Sequence, residues 1–116
     1  MNTTYNKPIN FKRLFSGMKK IIEQLNKAFE NRIRLGIMSI LAVNDAVEFN
    51  EMKRLLNITD GNLASHIVAL EKLNYVNVKK QFVGKKPNTT YSLTRPGRKA
   101  FTDHIDVLEK IIQHNK

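Results

Sequence analysis

The feature that most constrains this chain is a change of hydrophobic period at Asn74 and a change back at Thr94. Before Asn74, apolar residues recur every three or four positions, which is typical of helices that bury one face. Residues 75–93 instead alternate in strand fashion around a turn-forming stretch at residues 83–88. After Thr94 the helical spacing returns. The pattern therefore predicts a mainly helical chain with one β-hairpin late in the sequence.

Four helices are predicted before the hairpin and one after it. The first covers residues 11–27 and the second residues 31–43. A third, short helix has Asn50 as its predicted N-cap. Thr59 is predicted to cap the fourth helix, residues 59–73, and Asn74 to end it in a left-handed conformation. The last helix is predicted at residues 95–116.

The order of these elements predicts the fold. A short helix, a tight turn and a second helix form a helix-turn-helix unit, whose second helix can enter the major groove of DNA. A basic hairpin directly after it would lie beside that helix as a wing. The predicted fold is thus α+β and mainly α: a winged helix-turn-helix with extra N- and C-terminal helices. Residues 1–10 are predicted to be a flexible N-terminus, and residues 11–116 a single domain.

The net charge of +10 is concentrated in two blocks. Residues 76–100 carry seven basic and no acidic side chains, and residues 1–27 carry six basic and one acidic. The stretches between and after these blocks are nearly neutral. Such a distribution favours a polyanionic partner. A surface that is merely kept soluble by lysine is the alternative, but solubility alone does not require seven like charges without a counter-charge.

Residues 59–73 are predicted to bury one face and expose a small, polar one. At about 100° per residue, one side of the helix carries Leu63, Ile67 and Leu70. The other side carries Gly61, Ser65 and Lys72, with Asn62 beside them and His66 at the edge of the buried face. Small residues allow close approach to a groove, and Asn pairs with adenine through two hydrogen bonds. An ordinary amphipathic surface helix would also be polar outside; the cationic hairpin that follows favours DNA.

Several motifs resemble those of MarR/ArsR-like winged-helix transcriptional regulators. Residues 58–76 read ITDGNLASHIVALEKLNYV, which is similar to that family's TDGNLSxHLxxLExxGYV recognition segment. Residues 79–82 and 90–97 resemble the wing and the LTxxG helix start, and residues 31–41 resemble the first core helix. The resemblance covers about residues 28–108. Ala64 and Asn74 depart from the pattern, yet Asn adopts the same left-handed cap as the expected glycine.

The resemblance implies sequence-specific binding of double-stranded DNA by a dimeric transcriptional regulator, a repressor rather than an activator. Residues 59–73 would be the recognition helix and residues 79–90 the wing. The residues expected to contact DNA are Thr59, Gly61, Asn62, Ser65, His66, Lys72, Lys79, Lys80, Lys85, Lys86 and Arg98. Among them, Asn62 and Ser65 are expected to read bases. The sequence leaves open whether a small-molecule effector exists.

Both terminal helices carry apolar stripes that a small domain does not easily cover. The stripes consist of Leu14, Met18, Ile21 and Leu25 in the first helix and Phe101, Ile105, Leu108 and Ile112 in the last. Spacings of four, three and four suit packing against another helix. The stripes could dock on each other within one chain. The resemblance implies instead a two-fold homodimer and a pseudo-palindromic site of roughly 15–25 base pairs.

Other classes of function find little support. The chain has no cysteine, which excludes disulfides and thiolate metal sites. His104 and His114 are ten positions apart and lie about 80° off a common helix face, so neither a metal nor another cofactor is predicted. No phosphate-binding glycine loop or serine elbow is present, so we predict no enzyme. A winged-helix protein-interaction module without DNA binding remains the alternative.

The location predicted from the sequence is cytoplasmic. The longest uncharged apolar run, residues 35–43, is much shorter than the ~20 residues of a membrane span, so no membrane partner is expected. No charged-then-apolar leader precedes it, which predicts that the chain is not secreted. The lack of cysteine also fits a reducing compartment.

Overall fold

The computed structural model of this protein describes residues 11–114, with side chains from Ser16 onward. Over that range the elements are α1 (Phe11–Ile22), a 3₁₀ turn (Lys27–Phe29), α2 (Arg32–Ala42), β1 (Val47–Glu48), α3 (Phe49–Leu56), α4 (Asp60–Lys72), β2 (Val76–Val83), β3 (Lys86–Leu93) and α5 (Arg95–Gln113). The predicted α+β, mainly helical, winged helix-turn-helix fold with terminal helices is confirmed. The predicted flexible segment 1–10 lies outside the described residues.

Polar side chains fix the ends of the main helices. Asn31, Thr59 and Thr94 each accept a backbone N–H from the first turn of α2, α4 and α5 respectively. This is the usual N-cap interaction, and replacing such a residue by alanine costs about 1 kcal/mol. Asn57 and Asn74 follow α3 and α4 with φ of 52° and 62°. Asparagine tolerates this left-handed conformation, which ends both helices.

Two helix boundaries differ from the prediction. α1 ends at Ile22 rather than at residue 27, because the side chain of Asn26 accepts the N–H of Ala28 and starts a separate 3₁₀ turn. Asn50 is not the N-cap of α3. Strand β1 runs directly into this helix, so the extended residue Glu48 occupies the cap position without a side-chain hydrogen bond.

The sheet is antiparallel, in the order β1–β3–β2. Tyr91 is its centre, paired with Val78 on one side and Val47 on the other. The expected six-residue turn at 83–88 is wrong, because Val83 pairs with Lys86 and only Gly84 and Lys85 connect the strands. Gly84 has a φ of +65°. Glycine in the first position of a two-residue turn matches the II′ type, which suits the twist of a hairpin.

One buried cluster joins the sheet to the helices. Its members include Phe29, Ile37, Met38, Leu41, Met52, Leu63, Ile67, Leu70, Val76 and Tyr91. Because α2 lies under both α3 and α4, the apolar face of α4 is turned inward and its polar face outward. None of the helices in residues 11–114 combines the length and the apolarity needed to cross a membrane.

Candidate nucleic-acid interface

Direct contacts hold α3 and α4 in the helix-turn-helix arrangement. Lys53 Nζ of α3 lies 2.8 Å from Asp60 Oδ1 in the first turn of α4. Between the helices, the N–H of Ile58 donates to the carbonyl oxygen of Lys53 at 3.3 Å. Thr59 Oγ1 accepts the N–H of Asn62 at 3.1 Å. Lys53 is not among the residues predicted from the sequence; opposite charges seven residues apart across the turn were the signal for it.

The outward face of α4 carries the side chains expected there. Gly61, Asn62, Ser65 and Lys72 are all exposed, as is the capping residue Thr59. A Cβ added at Gly61 would meet no atom within 4 Å, so the backbone is open to solvent at this point. The start of α4 therefore presents hydroxyl, amide and bare backbone on one surface, the groups that a base edge can meet closely.

His66 lies at the edge of this face and is half-buried. Arg34 Nε of α2 donates to His66 Nδ1 at 3.2 Å. Burial and the neighbouring Arg34 charge lower the pKa of this histidine. A neutral ring that accepts at Nδ1 carries its proton on Nε2. The side chain thus joins α4 to α2 and has one donor left.

The hairpin carries four exposed lysines and brings one of them, Lys80, beside α4. Lys79, Lys80, Lys85 and Lys86 are all exposed. Successive residues of a strand point to opposite faces, so Lys80 shares the face of Val78 and Lys79 lies on the other. A groove of about 500 Å³ lies between α4 and the hairpin. It is lined by Ala64, Ile67, Val68 and Glu71 of α4, by Val78, Lys80, Thr89 and Tyr91 of the hairpin, and by Phe49 of α3. The recognition-helix candidate and the wing therefore form one continuous surface.

Arg98 is not part of this surface. It lies in the first turn of α5, at the end of the hairpin opposite the Gly84–Lys85 turn. At about 3.3 Å per residue, the length of β3 separates the two positions by roughly 25 Å. Arg98 Nη1 donates instead to the carbonyl oxygen of Ala42, the last residue of α2, at 3.2 Å. A cation at a helix C-terminus stabilises the free carbonyls there.

The apolar stripe of α5 lies beside its buried face rather than on it. His104 and Val107 are buried, whereas Ile105, Leu108 and Ile112 are 40%, 37% and 68% exposed. Counting about 100° per residue, the two faces are about 100° apart. α1 packs against α5 within the chain, with Met18, Ile21 and Leu25 half-buried. The side chain of Leu14 lies outside the described residues. The terminal helices thus dock within one chain, which is one of the two arrangements considered from the sequence, and an apolar stripe of α5 stays exposed.

Phe101 and His104 have structural roles in this arrangement. Phe101 meets the ring of Phe29 edge-on, with centroids 5.9 Å apart, and so packs against the core. His104 Nδ1 accepts the N–H of Asn26 at 3.1 Å, and its burial lowers its pKa. Among residues 11–114, no three His, Asp or Glu side chains lie together as a metal site requires.

These features are those of a known family: residues 33–112 match the model described as "Winged helix DNA-binding domain". The chain belongs to that family. This winged helix domain is 37% identical over 79 residues to an uncharacterized protein of Methanocaldococcus jannaschii, a match that covers 68% of the chain and 86% of the relative. The recognition segment and the wing described above both lie within the matched range 33–112.

Solved structures share the same fold. The winged helix domain superposes on a transcriptional regulator homologue from Pyrococcus horikoshii OT3 with a TM-score of 0.75 and 28% identity, covering 87% of this chain and 98% of that one. A mutant of MarR from E. coli matches with a TM-score of 0.64 and 16% identity, over 94% and 84% of the two chains. The predicted resemblance to winged-helix regulators is thereby confirmed at the level of the winged helix family and its fold. The protein therefore carries a winged helix DNA-binding domain, and the Pyrococcus structure that shares its fold is a transcriptional regulator homologue.

Proposed function

We propose that this protein is a homodimeric transcriptional repressor that binds a specific, pseudo-palindromic duplex site. The observation that carries the proposal is the groove shared by α4 and the hairpin, which Lys80 lines, together with three further exposed lysines on the same hairpin. The hairpin has no acidic side chain of its own, since residues 76–100 contain none. A protein of this kind would act on chromosomal DNA in the cytoplasm.

The two parts of the surface have different tasks in this proposal. Asn62 and Ser65 read base edges in the major groove, where Thr59 and Gly61 allow α4 to approach closely. The wing lysines and Lys72 meet phosphates, which set register and affinity but carry no sequence information. His66 offers its Nε2 donor from a position fixed by Arg34. Arg98 closes α2 and belongs to the scaffold rather than to the DNA contacts.

The exposed stripe of α5 supports the dimer. Ile105, Leu108 and Ile112 follow one another along α5 and leave an apolar strip on the surface, which a second copy would cover. Two-fold symmetry places two copies of α4 against half-sites one helical turn, about 34–36 Å, apart. A dimer bound across such a site would exclude competing proteins from the same DNA, which is how it would repress.

The proposal is tested by selecting bound fragments from a pool of random duplexes. We expect one pseudo-palindromic sequence to be enriched. Lys85→Ala/Lys86→Ala should weaken binding to every sequence and lower the slope of log K against log salt by about 1 for each phosphate that the protein no longer neutralises. Lys27→Ala/Lys110→Ala is the control, because it removes the same charge from exposed sites outside α4 and the hairpin. A pool without enrichment would indicate the alternative, a protein-interaction module.

The dimer has its own test by light scattering. The wild-type protein should show twice the 13.4 kDa mass of the chain. Ile112→Glu should shift it toward the monomer, since this side chain is already exposed and its charge would meet only the partner. Val43→Glu, at a site even more exposed and outside α5, should leave the mass unchanged. A monomeric wild-type protein at tens of micromolar would contradict the dimer.

A further inference from the structure

The tip of the wing is apolar as well as basic. Phe82 is 73% exposed and Val83 58%, and both directly precede the Gly84–Lys85 turn. Pro87, also exposed, pairs with Phe82 across the hairpin. The fold does not explain this large aromatic side chain in a lysine-rich ribbon. Phe82 is not part of the core cluster, and it is not among the partly buried side chains that pack against that cluster.

The ribbon projects beyond the rest of the sheet. Strand β1 pairs with β3 only at Thr90 and Tyr91, so the four residue pairs from Thr89 outward form a two-stranded ribbon. At about 3.3 Å per residue this ribbon extends roughly 13 Å past the three-stranded part. Phe82 therefore lies well away from the core, within reach of a neighbouring molecule.

Phe82 also lies on the face of the ribbon that adjoins α4. Side chains alternate along β2, so Phe82 shares a face with Val78 and Lys80, which line the groove beside α4. Val83 lies on the opposite face, with Lys79. If α4 occupies the major groove, Phe82 is the apolar side chain of the wing that is turned toward the same duplex.

We infer that Phe82 is a wedge that inserts between base pairs in the minor groove next to the site of α4 and bends the DNA there. This inference rests on the proposed DNA-binding function and adds a contact with a consequence for sequence preference. Apolar side chains carried into the minor groove by basic segments partly unstack base steps and kink the duplex. Lys80, Lys85 and Lys86 supply the attraction to the flanking phosphates.

A second copy of the chain is the other occupant for an exposed Phe82, and charge and strand pairing both disfavour it. The hairpin tips of two copies would bring together segments that each carry only positive charge. Pro87 lies where β3 has no β1 neighbour, and a proline at a free strand edge hinders pairing with another strand. DNA has the complementary charge and a stack into which an aromatic ring fits.

The wedge specifies which sequences the wing prefers. Pyrimidine–purine steps such as TA are the most easily unstacked and kinked. The selected site should therefore contain such a step on each flank, at the position of the wing, although the side chain reads no hydrogen-bonding group there. Phe82→Ala should remove this flanking preference and leave the central bases, read by α4, unchanged.

The test uses the full chain and its selected duplex with 2-aminopurine at successive flank positions, together with a bending assay. Wild-type protein should raise the 2-aminopurine fluorescence at one flank step and bend the duplex. Phe82→Ala should abolish both signals and weaken binding about tenfold with an unchanged salt slope. Val83→Ala is the matched control, since it removes an exposed apolar side chain from the other face of the same ribbon, and it should keep both signals.

The outcomes separate the two proposals. Bending and fluorescence that persist in Phe82→Ala, or that Val83→Ala abolishes equally, overturn the wedge while DNA binding stands. A change of oligomeric mass in Phe82→Ala without DNA assigns this side chain to a second copy and likewise overturns it. Failure of the wild-type protein to bind any duplex overturns the proposed function and the wedge together.

Discussion

Gly97 packs so closely against Tyr75 that a Cβ at position 97 would lie 2.0 Å from the backbone carbonyl oxygen of Tyr75. The same carbonyl oxygen accepts the N–H of Thr94 at 3.1 Å, and Thr94 Oγ1 accepts the N–H of Gly97 at 2.8 Å. The start of α5 is thus seated directly on the start of the hairpin. This contact fixes how the wing leaves the helical body.

Gly97→Ala is expected to destabilise the protein by at least about 1–3 kcal/mol, because the added methyl group meets backbone that is itself hydrogen-bonded. Urea unfolding followed by circular dichroism measures the change. If the variant has the same free energy of unfolding as the wild type, the close packing of Gly97 against Tyr75 is incorrect.

Gly61→Ala should have the opposite effect on stability. A Cβ at Gly61 in the first turn of α4 meets no neighbour, and alanine raises helix stability by up to about 1 kcal/mol over glycine. In the proposed complex the same methyl group would lie between α4 and the floor of the DNA major groove, so DNA binding should weaken. Unfolding and fluorescence anisotropy on one preparation measure both effects. Undiminished affinity would show that α4 does not approach DNA at this point.

Asn62→Ala should lower the preference for the selected site by roughly 1–3 kcal/mol relative to unrelated DNA. The helix itself should stay intact, because the backbone N–H of Asn62, not its side chain, bonds to Thr59 Oγ1. Asn77→Ala, at an exposed position of β2 near the base of the hairpin, is the control. Equal losses for specific and unrelated duplexes would mean that Asn62 meets the phosphates.

Stability should fall as the pH is lowered below 6.5, the ordinary pKa of histidine. Burial lowers the pKa of His104, an effect that Glu30 partly opposes, and His104 Nδ1 must stay unprotonated to accept the N–H of Asn26. The unfolded chain therefore binds a proton more readily than the folded one. The stabilising contribution is complete above 6.5 and is lost as the pH falls toward the lower pKa of the folded state.

Urea unfolding at several pH values between about 7 and 5 measures this dependence, with a slope of at most about 1.4 kcal/mol per pH unit for one histidine. His66 should contribute to the pH dependence of stability with the same sign, because burial and the Arg34 charge lower its pKa too. His104→Gln and His66→Gln should each remove part of the slope. A wild-type stability that does not change over this range would contradict both assignments.

The sequence predicts most of the helix-turn-helix and the hairpin because local signals there agree. In α4, the spacing of Leu63, Ile67 and Leu70 and the caps at Thr59 and Asn74 specify the helix and its buried face together. Each signal acts within a few residues of its effect. Tertiary packing then has only to place the helix, not to change it.

The structure differs from the prediction where contacts between distant parts of the chain determine the local structure. Strand β1 has two residues, too few to show a period, and exists because Tyr91 pairs with Val47. Lys86 and Pro87 look like turn residues but pair with β2. His104 is buried because Asn26 and Phe29, far away in sequence, surround it. The exposure of Phe82 likewise depends on where the sheet ends, which no local pattern shows.

The proposed mode of binding requires that α4 and the hairpin tip meet one duplex at the same time. Titrating isotope-labelled protein with the selected duplex, and mapping the NMR shifts of backbone amides, tests this requirement. We expect the amides of residues 59–65 and 82–86 to shift together and to saturate at one stoichiometry, while those of Val43 and Asn44 do not move. Shifts confined to α1 and α5, or to only one of the two predicted segments, would contradict it.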